Sequence, residues 1–537
     1  MSLKAIKEII KTRPQSREEL MRIKRRTAKK YGEAIKQNSE ILKVYNDLVR
    51  KGNISRDLGL EGVLRKRSIR TLSGIAPVAV LTKNYPCPGK CAYCPTETDV
   101  PKSYLSNEPA VMRAIRNNYD PYKQTQLRLK ALENNGHLPT KIELIVIGGT
   151  WSILPRKYKY WYIKECFRAA NDYPKDKDQK DRQQKKYSSL SLTSLRQELA
   201  RQQKKNEKAI YRLIGITLET RPDYIDEKEV VEMRELGATR VEIGVQAIDD
   251  RILAVNKRGH GVDATIQATQ KLRDYGFKVT YHIMPGLPGS TYKKDLKMFK
   301  ELFHRPEFQP DQIKFYPTVV TKGSLLYRWW KQGKYRPYSD KQLQNLIIDC
   351  KKVIPPYTRV IRLIRDIPGE SIEAGNKITN LRQVMKDRGV KCECIRCREA
   401  KEKKIKKKDL VLKTLDYKAS GGEERFISFE SRDGSTLYGF LRLRLPGKDF
   451  ENALIKAKNT ALIRELHVYG ELVSVGEQKK KVQHSGLGKD LMAEAERQAK
   501  EEGYKNIAVI SGIGVRGYYR KRGYWLKNTY MIKKFKS

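Results

Sequence analysis

The segment Asn84–Thr96, NYPCPGKCAYCPT, constrains this chain more than any other. Cys87, Cys91 and Cys94 stand in a C-x3-C-x2-C pattern, so one short loop brings three thiolates around a single iron–sulfur cube. Three thiolates on four irons leave one iron without a protein ligand. An open iron can bind a substrate, which a fully ligated electron carrier cannot do. Zinc prefers C-x2-C pairs in two separated halves and four ligands, and a disulfide would strand one cysteine of the three. The pattern points to a four-iron cluster that does chemistry.

Six of the eight cysteines fall into two tight groups, which suits metal in a reducing cytosol better than a disulfide framework. The N-terminal stretch MSLKAIKEIIKTRPQSREEL has no apolar core long enough for a signal peptide. No stretch approaches the ~20 apolar residues of a membrane span. A soluble, cytoplasmic protein with no membrane partner is expected. Lys and Arg number 111 against 62 Asp and Glu, a formal net charge of +49. That excess attracts polyanions, nucleic acid above all. A charge-rich thermophile surface would raise Glu along with Lys, and here the acids lag. At 537 residues the chain calls for roughly three to four domains.

Residues from Ala5 to about Val63 read as helices, because Ile6, Ile9, Ile10 and then Ile41, Val44, Tyr45 and Leu48 recur at helical spacing. Arg22–Lys30 puts Lys24, Arg25, Arg26, Lys29 and Lys30 on a short length of helix, read as a phosphate-contacting face. Ala76–Leu81 reads as a buried strand leading into the cysteine loop. A helix over Leu127–Asn134 and a second buried strand over Lys141–Ile147 follow. That strand ends in Gly148-Gly149-Thr150, where glycines bare backbone groups to a ligand. Arg156–Lys164, RKYKYWYIK, is either a base-stacking segment or a partly buried helix face. Tyr173–Lys208 reads as a polar excursion with no core of its own. Strands then recur at Leu213–Leu218, Arg240–Val245, Lys278–Ile283 and Gln312–Tyr316, each followed by polar or glycine residues such as Glu219 and Gln246. A β/α barrel gathers its active site at such strand ends. A partial (β/α) barrel over Pro77–Asp366 is expected.

Lys391–Arg398, KCECIRCR, holds Cys392, Cys394 and Cys397 too close together for independent roles. Zinc is the natural occupant, with Cys350 or a histidine as fourth ligand; a reduced trio without metal is the alternative. Beyond the basic run Lys401–Lys408 the style changes. Phe426–Glu430 and Thr436–Leu445 read as antiparallel strands, and Ala461–Val475 as a further strand region. The glycines of Gln483–Lys489 precede the amphipathic helix Asp490–Glu502, an arrangement that cradles a pyrophosphate. His467 and His484 read as packing or surface residues rather than general bases. The division expected is a basic helical segment over 1–75, a barrel over 76–370, a linker with a zinc site over 371–408 and a second α/β domain over 409–537.

The cysteine loop, with Tyr93 just before its last thiolate and Gly148-Gly149 one strand later, resembles radical S-adenosylmethionine (SAM) enzymes. The Q-x-x-G-x-G loop resembles the coenzyme A loop of GCN5-related (GNAT) acetyltransferases. With GITLETRPD at Gly215–Asp223, NKRGH at Asn256–His260, RELHVYG at Arg464–Gly470 and YYRKRGY at Tyr518–Tyr524, the chain is identified as a member of the Elongator catalytic-subunit family, in its stand-alone archaeal or bacterial form. The resemblance implies an α/β multidomain fold: a partial radical-SAM barrel plus a C-terminal GNAT fold. It implies a 4Fe-4S cluster on Cys87, Cys91 and Cys94, and SAM lying against Gly148, Gly149, Glu219 and Gln246. It implies acetyl-CoA held by Lys141, Glu465, Leu466, His467, Val468, Gly486, Leu487, Gly488, Lys489 and Tyr519, with Tyr518 or Tyr519 acting beside the thioester. The implied reaction turns the wobble uridine of a tRNA anticodon stem-loop into 5-carboxymethyluridine, with an electron donor as further partner and a homodimer left open. The thioester should then face the barrel mouth. A competing reading is a protein lysine acetyltransferase with a structural cluster, which would need a placed general base and a peptide groove. A third, a tRNA-binding scaffold with a degenerate acetyltransferase fold, is opposed by the intact Gly486-Leu487-Gly488.

Overall fold

A computed structural model describes residues 3–55, 57–64, 74–174, 187–378, 380–400, 406–469 and 486–536. Four helices open the chain: α1 (Leu3–Lys11), α2 (Arg17–Tyr31), α3 (Asn38–Arg50) and α4 (Leu58–Leu64). Their apolar stripes meet in a small core of their own, built on Ile6, Ile9, Leu20, Ile41 and Tyr45. Ser16 caps α2 through the Glu19 amide, and Gly32 ends it with a left-handed φ of 62°. Arg25, Arg26, Lys29 and Lys30 stand exposed on α2. Lys24 does not. It shares the buried stripe of Leu20 and Thr27 and donates to Asn38 Oδ1 at 2.9 Å, which takes it off the face expected to meet phosphate. Lys30 also grips the Glu8 carboxylate at 2.9 Å.

Seven parallel strands follow in simple order: β1 (Ala76–Leu81), β2 (Lys141–Ile147), β3 (Arg212–Thr220), β4 (Arg240–Gln246), β5 (Lys278–Ile283), β6 (Gln312–Phe315) and β7 (Arg359–Arg362). Between them run α5 (Pro109–Arg116), α6 (Pro121–Asn134), α7 (Arg156–Asp172), α8 (Leu192–Asn206), α9 (Glu227–Glu235), α10 (Asp250–Val255), α11 (Val262–Asp274), α12 (Tyr292–His304), α13 (Leu325–Lys331) and α14 (Asp340–Lys352). The sheet curls into a half-barrel whose outer strands, β1 and β7, do not pair. Loops close that seam: Arg365 donates to the Ser103 carbonyl, Asn107 Nδ2 to Ser371 Oγ at 2.8 Å, and Leu105 packs on Ile367 and Ile372. The aromatics Tyr158, Tyr160 and Tyr162 of α7 are buried, so RKYKYWYIK is a helix face in the core and not a stacking surface. The excursion at Tyr173–Lys208 is also not coreless, since Leu195 and Leu199 of α8 join the main barrel core.

After the short helices α15 (Leu381–Asp387) and α16 (Ile395–Arg398) comes a second, mixed sheet. Its strands are β8 (Leu410–Ala419), β9 (Gly422–Ser431), β10 (Leu437–Leu445), β11 (Thr460–Val468), β12 (Asn506–Val509), β13 (Trp525–Lys527) and β14 (Tyr530–Lys534), with α17 (Leu487–Glu501) and α18 (Arg516–Arg520). The strand expected over Ala461–Val475 ends at Val468, and residues 470–485, including Gln483 and His484, lie outside the described residues. Among the described residues no helix is long and apolar enough to cross a membrane.

The second sheet docks on the N-terminal ends of the barrel strands. Arg464 holds Asp311, the residue before β6, at 2.6 and 2.9 Å, and Glu424 at 3.0 Å. Arg442 lies 3.5 Å from Asp311, and Arg273 and Arg444 each reach Glu424 at 3.2 Å. Lys278, first in β5, meets Glu465 at 3.2 Å; Arg359, first in β7, donates to Tyr469 Oη at 2.9 Å. At Gly512 a Cβ would stand 1.9 Å from the Ile214 carbonyl oxygen, so only glycine lets this segment lie against β3. The acetyltransferase-like sheet thus sits at the base of the barrel, opposite the mouth where the thioester was expected. Burial would raise the Asp311 carboxyl, but Arg464 and Arg442 overcome it and hold it well below the carboxylate range. Asp311→Ala strands two buried guanidiniums and is expected to cost about 3–5 kcal/mol. A urea midpoint unchanged from the parent chain would contradict that assignment.

Candidate active site

Loops at the C-terminal ends of the barrel strands surround a cavity of about 650 Å³ lined by Cys87, Cys91, Cys94, Gly149, Glu219 and Gln246. All three thiols of the loop therefore face one space. Cys91 is buried, with Arg258 Nη1 at 3.1 Å and Arg221 Nη1 at 3.7 Å from its sulfur. The Cys94 hydrogen bond first, then these guanidiniums, lower the Cys91 thiol against the cost of burial, while the same bond keeps the Cys94 thiol raised. A thiolate-ready sulfur flanked by cations is what a cluster of net negative charge requires. Gly148 and Gly149 follow β2 with φ of 139° and 92°, and a Cβ on Gly148 would stand 2.1 Å from Thr82 Oγ1. Gln246 closes β4 at φ 69°, and its buried Oε1 has no hydrogen-bond partner among the described residues. An unpaired amide oxygen lining the same cavity is a ready acceptor for a polar ligand. Cys87, Cys91, Cys94, Gly149 and Gln246 thus meet as the residue pattern foretold, and fit a cluster with SAM.

Glu219 lines the cavity as expected, but the polar partners around it, Tyr104, His282, Glu242 and Lys314, were not foreseen. Glu219 accepts from Tyr104 Oη at 2.7 Å and stands 3.8 Å from His282 Nδ1. His282 Nε2 meets Glu242 Oε2 at 3.0 Å, and Lys314 pairs with the same Glu242 oxygen. Burial would raise Glu242, yet Lys314 and His282 together hold it below the carboxylate range. The signal was there in KVTYHI and QIKF: a histidine and a lysine inside otherwise apolar strands must face a polar lumen. Arg221 and Arg258 sat in the quoted motifs with no stated role.

At the other end of the barrel, β11 pairs with β12 only from Thr460 to Ile463 and then, as far as Val468, with β10 alone among the described strands. Beyond Ile463 no strand among the described residues pairs with β11 on that side, so the Glu465–Val468 backbone there is available to an extended ligand. Gly486 (φ 117°) begins α17, with Leu487, Gly488 and Lys489 in its first turn. A Cβ on Gly488 would stand 2.9 Å from Tyr518 Oη, a buried hydroxyl with no hydrogen-bond partner among the described residues. Tyr519 is buried, packed against Tyr518 and Tyr524. His467 stacks between Tyr469 and Phe440. Lys141 opens β2, and burial lowers its ammonium from the ordinary value.

Residues 85–302 match the Radical SAM superfamily and 310–389 the Radical_SAM C-terminal domain. The "tRNA uridine(34) acetyltransferase" of Methanocaldococcus infernus is 44% identical over 515 residues, 92% of this chain and 91% of that protein. "Elongator complex protein 3" of Homo sapiens is 39% identical over 555 residues, 99% of this chain and 96% of that protein. The solved archaeal Methanocaldococcus infernus Elp3 with an N-terminal deletion superposes with a TM-score of 0.71 at 41% identity, covering 86% of this chain and 99% of that one. The chain belongs to the Elongator complex protein 3 family.

In this family member the sulfurs of Cys392, Cys394 and Cys397 lie within 4.8 Å of one another. Ligands of one tetrahedral ion sit about that close, whereas a four-iron cube holds each thiolate on a separate iron. Cys350 does not complete the set: it is buried among Phe299, Phe315 and Leu363 in the barrel core. Nor does a histidine join it among the described residues.

The Elongator-type sheet also carries an acid-sensitive edge. Burial first holds His467 down to about 4, so its neutral form favours folding fully above about pH 6.5 and that stability is lost between 6.5 and 4. Burial would raise Glu465, but Lys278 and Arg442 bring it to about 2, so its contribution is lost as pH falls from 4.5 to 2. Urea midpoints of His467→Gln are expected to change less between pH 6.5 and 4 than those of the parent chain. Parallel curves would show that His467 is not held neutral.

Proposed function

We propose that this protein converts the wobble uridine of tRNA to 5-carboxymethyluridine, using SAM radical chemistry and acetyl-CoA as the carbon donor. The observation that carries the reading is one barrel with a cluster-competent thiolate loop at its mouth and a second sheet, of acetyltransferase type in this reading, bolted to its base. The relatives named for tRNA uridine(34) acetylation give the substrate. Cys87, Cys91 and Cys94 hold the cluster, and Gly148, Gly149, Glu219 and Gln246 receive SAM. When bound, the cluster and SAM would supply a hydrogen-atom acceptor; in this reading the acetyl methyl gives one hydrogen to it and joins C5 of the uridine, C5 loses its hydrogen as a proton while one electron returns to the bound cofactors, and water cleaves the thioester to leave the carboxymethyl group and CoA.

The chain's own residues do the positioning. The open edge of Glu465–Val468 pairs with the pantetheine amides, while the amides of Leu487–Lys489 at the start of α17 take the pyrophosphate. Tyr518, whose hydroxyl lies at Gly488, is better placed than Tyr519 to reach the thioester. Lys141 supplies a cation from the barrel base. The cavity lining reaches from the cysteines to Arg240 at the first position of β4, so its wall spans the barrel between the two sites. The exposed cations Arg25, Arg26, Lys29 and Lys30 of α2 grip the tRNA backbone. Zinc is the ion that suits the Cys392–Cys397 thiolates; metal analysis finding none in the folded chain would exclude it. The lysine acetyltransferase alternative gains nothing from His467, whose ring is half-buried and packed between Phe440 and Tyr469.

Nucleoside mass spectrometry of tRNA incubated with the reconstituted chain, SAM, acetyl-CoA and a reductant is expected to find 5-carboxymethyluridine at the wobble position. Modified lysine with unmodified tRNA would overturn the reading. Lys141→Ala is expected to raise the KM for acetyl-CoA, the loss of a charged hydrogen bond costing about 1.5–3 kcal/mol, with iron content and SAM binding unchanged.

A further inference from the structure

One surface at the barrel mouth has no role so far. Residues 325–336 read LLYRWWKQGKYR, seven of them forming α13. The segment is pinned at both ends to the loops around the cavity. At its start, Leu326 N donates to the Ala92 carbonyl of the cysteine loop at 2.7 Å. Just before it, Gly323 (φ 76°) lies so close that a Cβ would stand 3.0 Å from the Thr96 carbonyl oxygen. At its far end Tyr335 Oη donates to Gly286 O at 2.7 Å, and Tyr338 Oη to Asp295 at 2.7 Å, both in the stretch that follows β5. The platform is therefore held rigid beside the cluster loop.

Its outer chemistry is aromatic and cationic. Tyr327, Trp329 and Trp330 are half-buried, with Tyr327 and Trp330 5.8 Å apart and tilted by 43°. Lys331 Nζ stands 5.0 Å from the Trp330 ring centre. Arg328, Lys331, Lys334 and Arg336 are exposed, and among the described residues none has an ion pair to an acid. Four cations without ion pairs on one short segment make a surface suited to an external polyanion. Cations alone would suit any phosphate. The aromatic rings narrow the choice, because a duplex stem offers phosphates but keeps its base faces stacked, whereas an unpaired loop offers both.

We propose that α13 and the turn after it form a single-stranded RNA platform at the rim of the cavity. The rings of Tyr327, Trp329 and Trp330 stack on loop bases beside the one that enters, and Arg328, Lys331, Lys334 and Arg336 hold the flanking phosphates. This rests on the tRNA reading above and names the part of the RNA the mouth receives.

The test uses the full chain and an RNA hairpin with an unpaired loop. Tryptophan fluorescence is expected to quench on binding. Trp329→Phe with Trp330→Phe keeps the packing and the affinity but loses most of that quench. An Arg328→Glu, Lys331→Glu, Lys334→Glu variant is expected to bind the hairpin roughly tenfold or more weakly, with the log–log salt slope smaller by about 2 and iron content unchanged. If the parent chain binds the hairpin and these variants match it in affinity, slope and quench, the platform lies elsewhere and the tRNA reading stands. If the parent chain binds no RNA hairpin, the platform fails together with that reading.

Discussion

The buried ion network around Asp311 decides how the two sheets meet, and the rest of the arrangement depends on it. Four guanidiniums, Arg273, Arg442, Arg444 and Arg464, face four carboxylates, Asp274, Asp311, Glu424 and Glu465. Such groups cannot be buried unpaired, and a balanced set with fixed donor forks permits few alternative registers. Asp311 also accepts the Val279 amide at 2.8 Å, so the network is tied into the strand ends themselves. Apolar contact adds to it, since Leu462, Ala508, Ile510 and Ile513 share the barrel's main hydrophobic core.

That docking sets the distance problem the chemistry must solve. Lys141 opens β2 and Gly148 follows its end, and seven residues of strand span roughly 23 Å. The thiolate loop and the β11 edge beyond Ile463 therefore lie at opposite ends of one barrel rather than side by side at its mouth. The lumen between them is charged, with Glu219, Glu242, His282 and Lys314 directed inward from successive strands. A lumen lined this way tolerates a polar ligand.

Much of this was legible in the residues. The cysteine spacing identified the cluster loop, and β1, β2 and β5 were bounded to the residue because each is an apolar run between glycine, proline or polar breaks. The strand β7 was not read as a strand: RVIR has four residues and two charges, and its existence depends on β6 beside it. Strand β8 escaped for a related reason, its side chains being largely exposed. Lys24 was misread because a helical cation is assigned to solvent by default, and only the packing of α2 against Asn38 turns it inward. The aromatic run in α7 carried two readings of equal weight, which burial alone could separate. The position of the second sheet at the barrel base was not legible at all, since it depends on arginines whose partners lie more than a hundred residues away.

The central claim is that both halves act on one acetyl group. Acetyl-CoA deuterated at its methyl, turned over with SAM, reductant and tRNA, tests it most directly by mass spectrometry of the 5′-deoxyadenosine released. The account predicts deuterium in that 5′-deoxyadenosine. Unlabelled 5′-deoxyadenosine alongside newly formed modified uridine would contradict it.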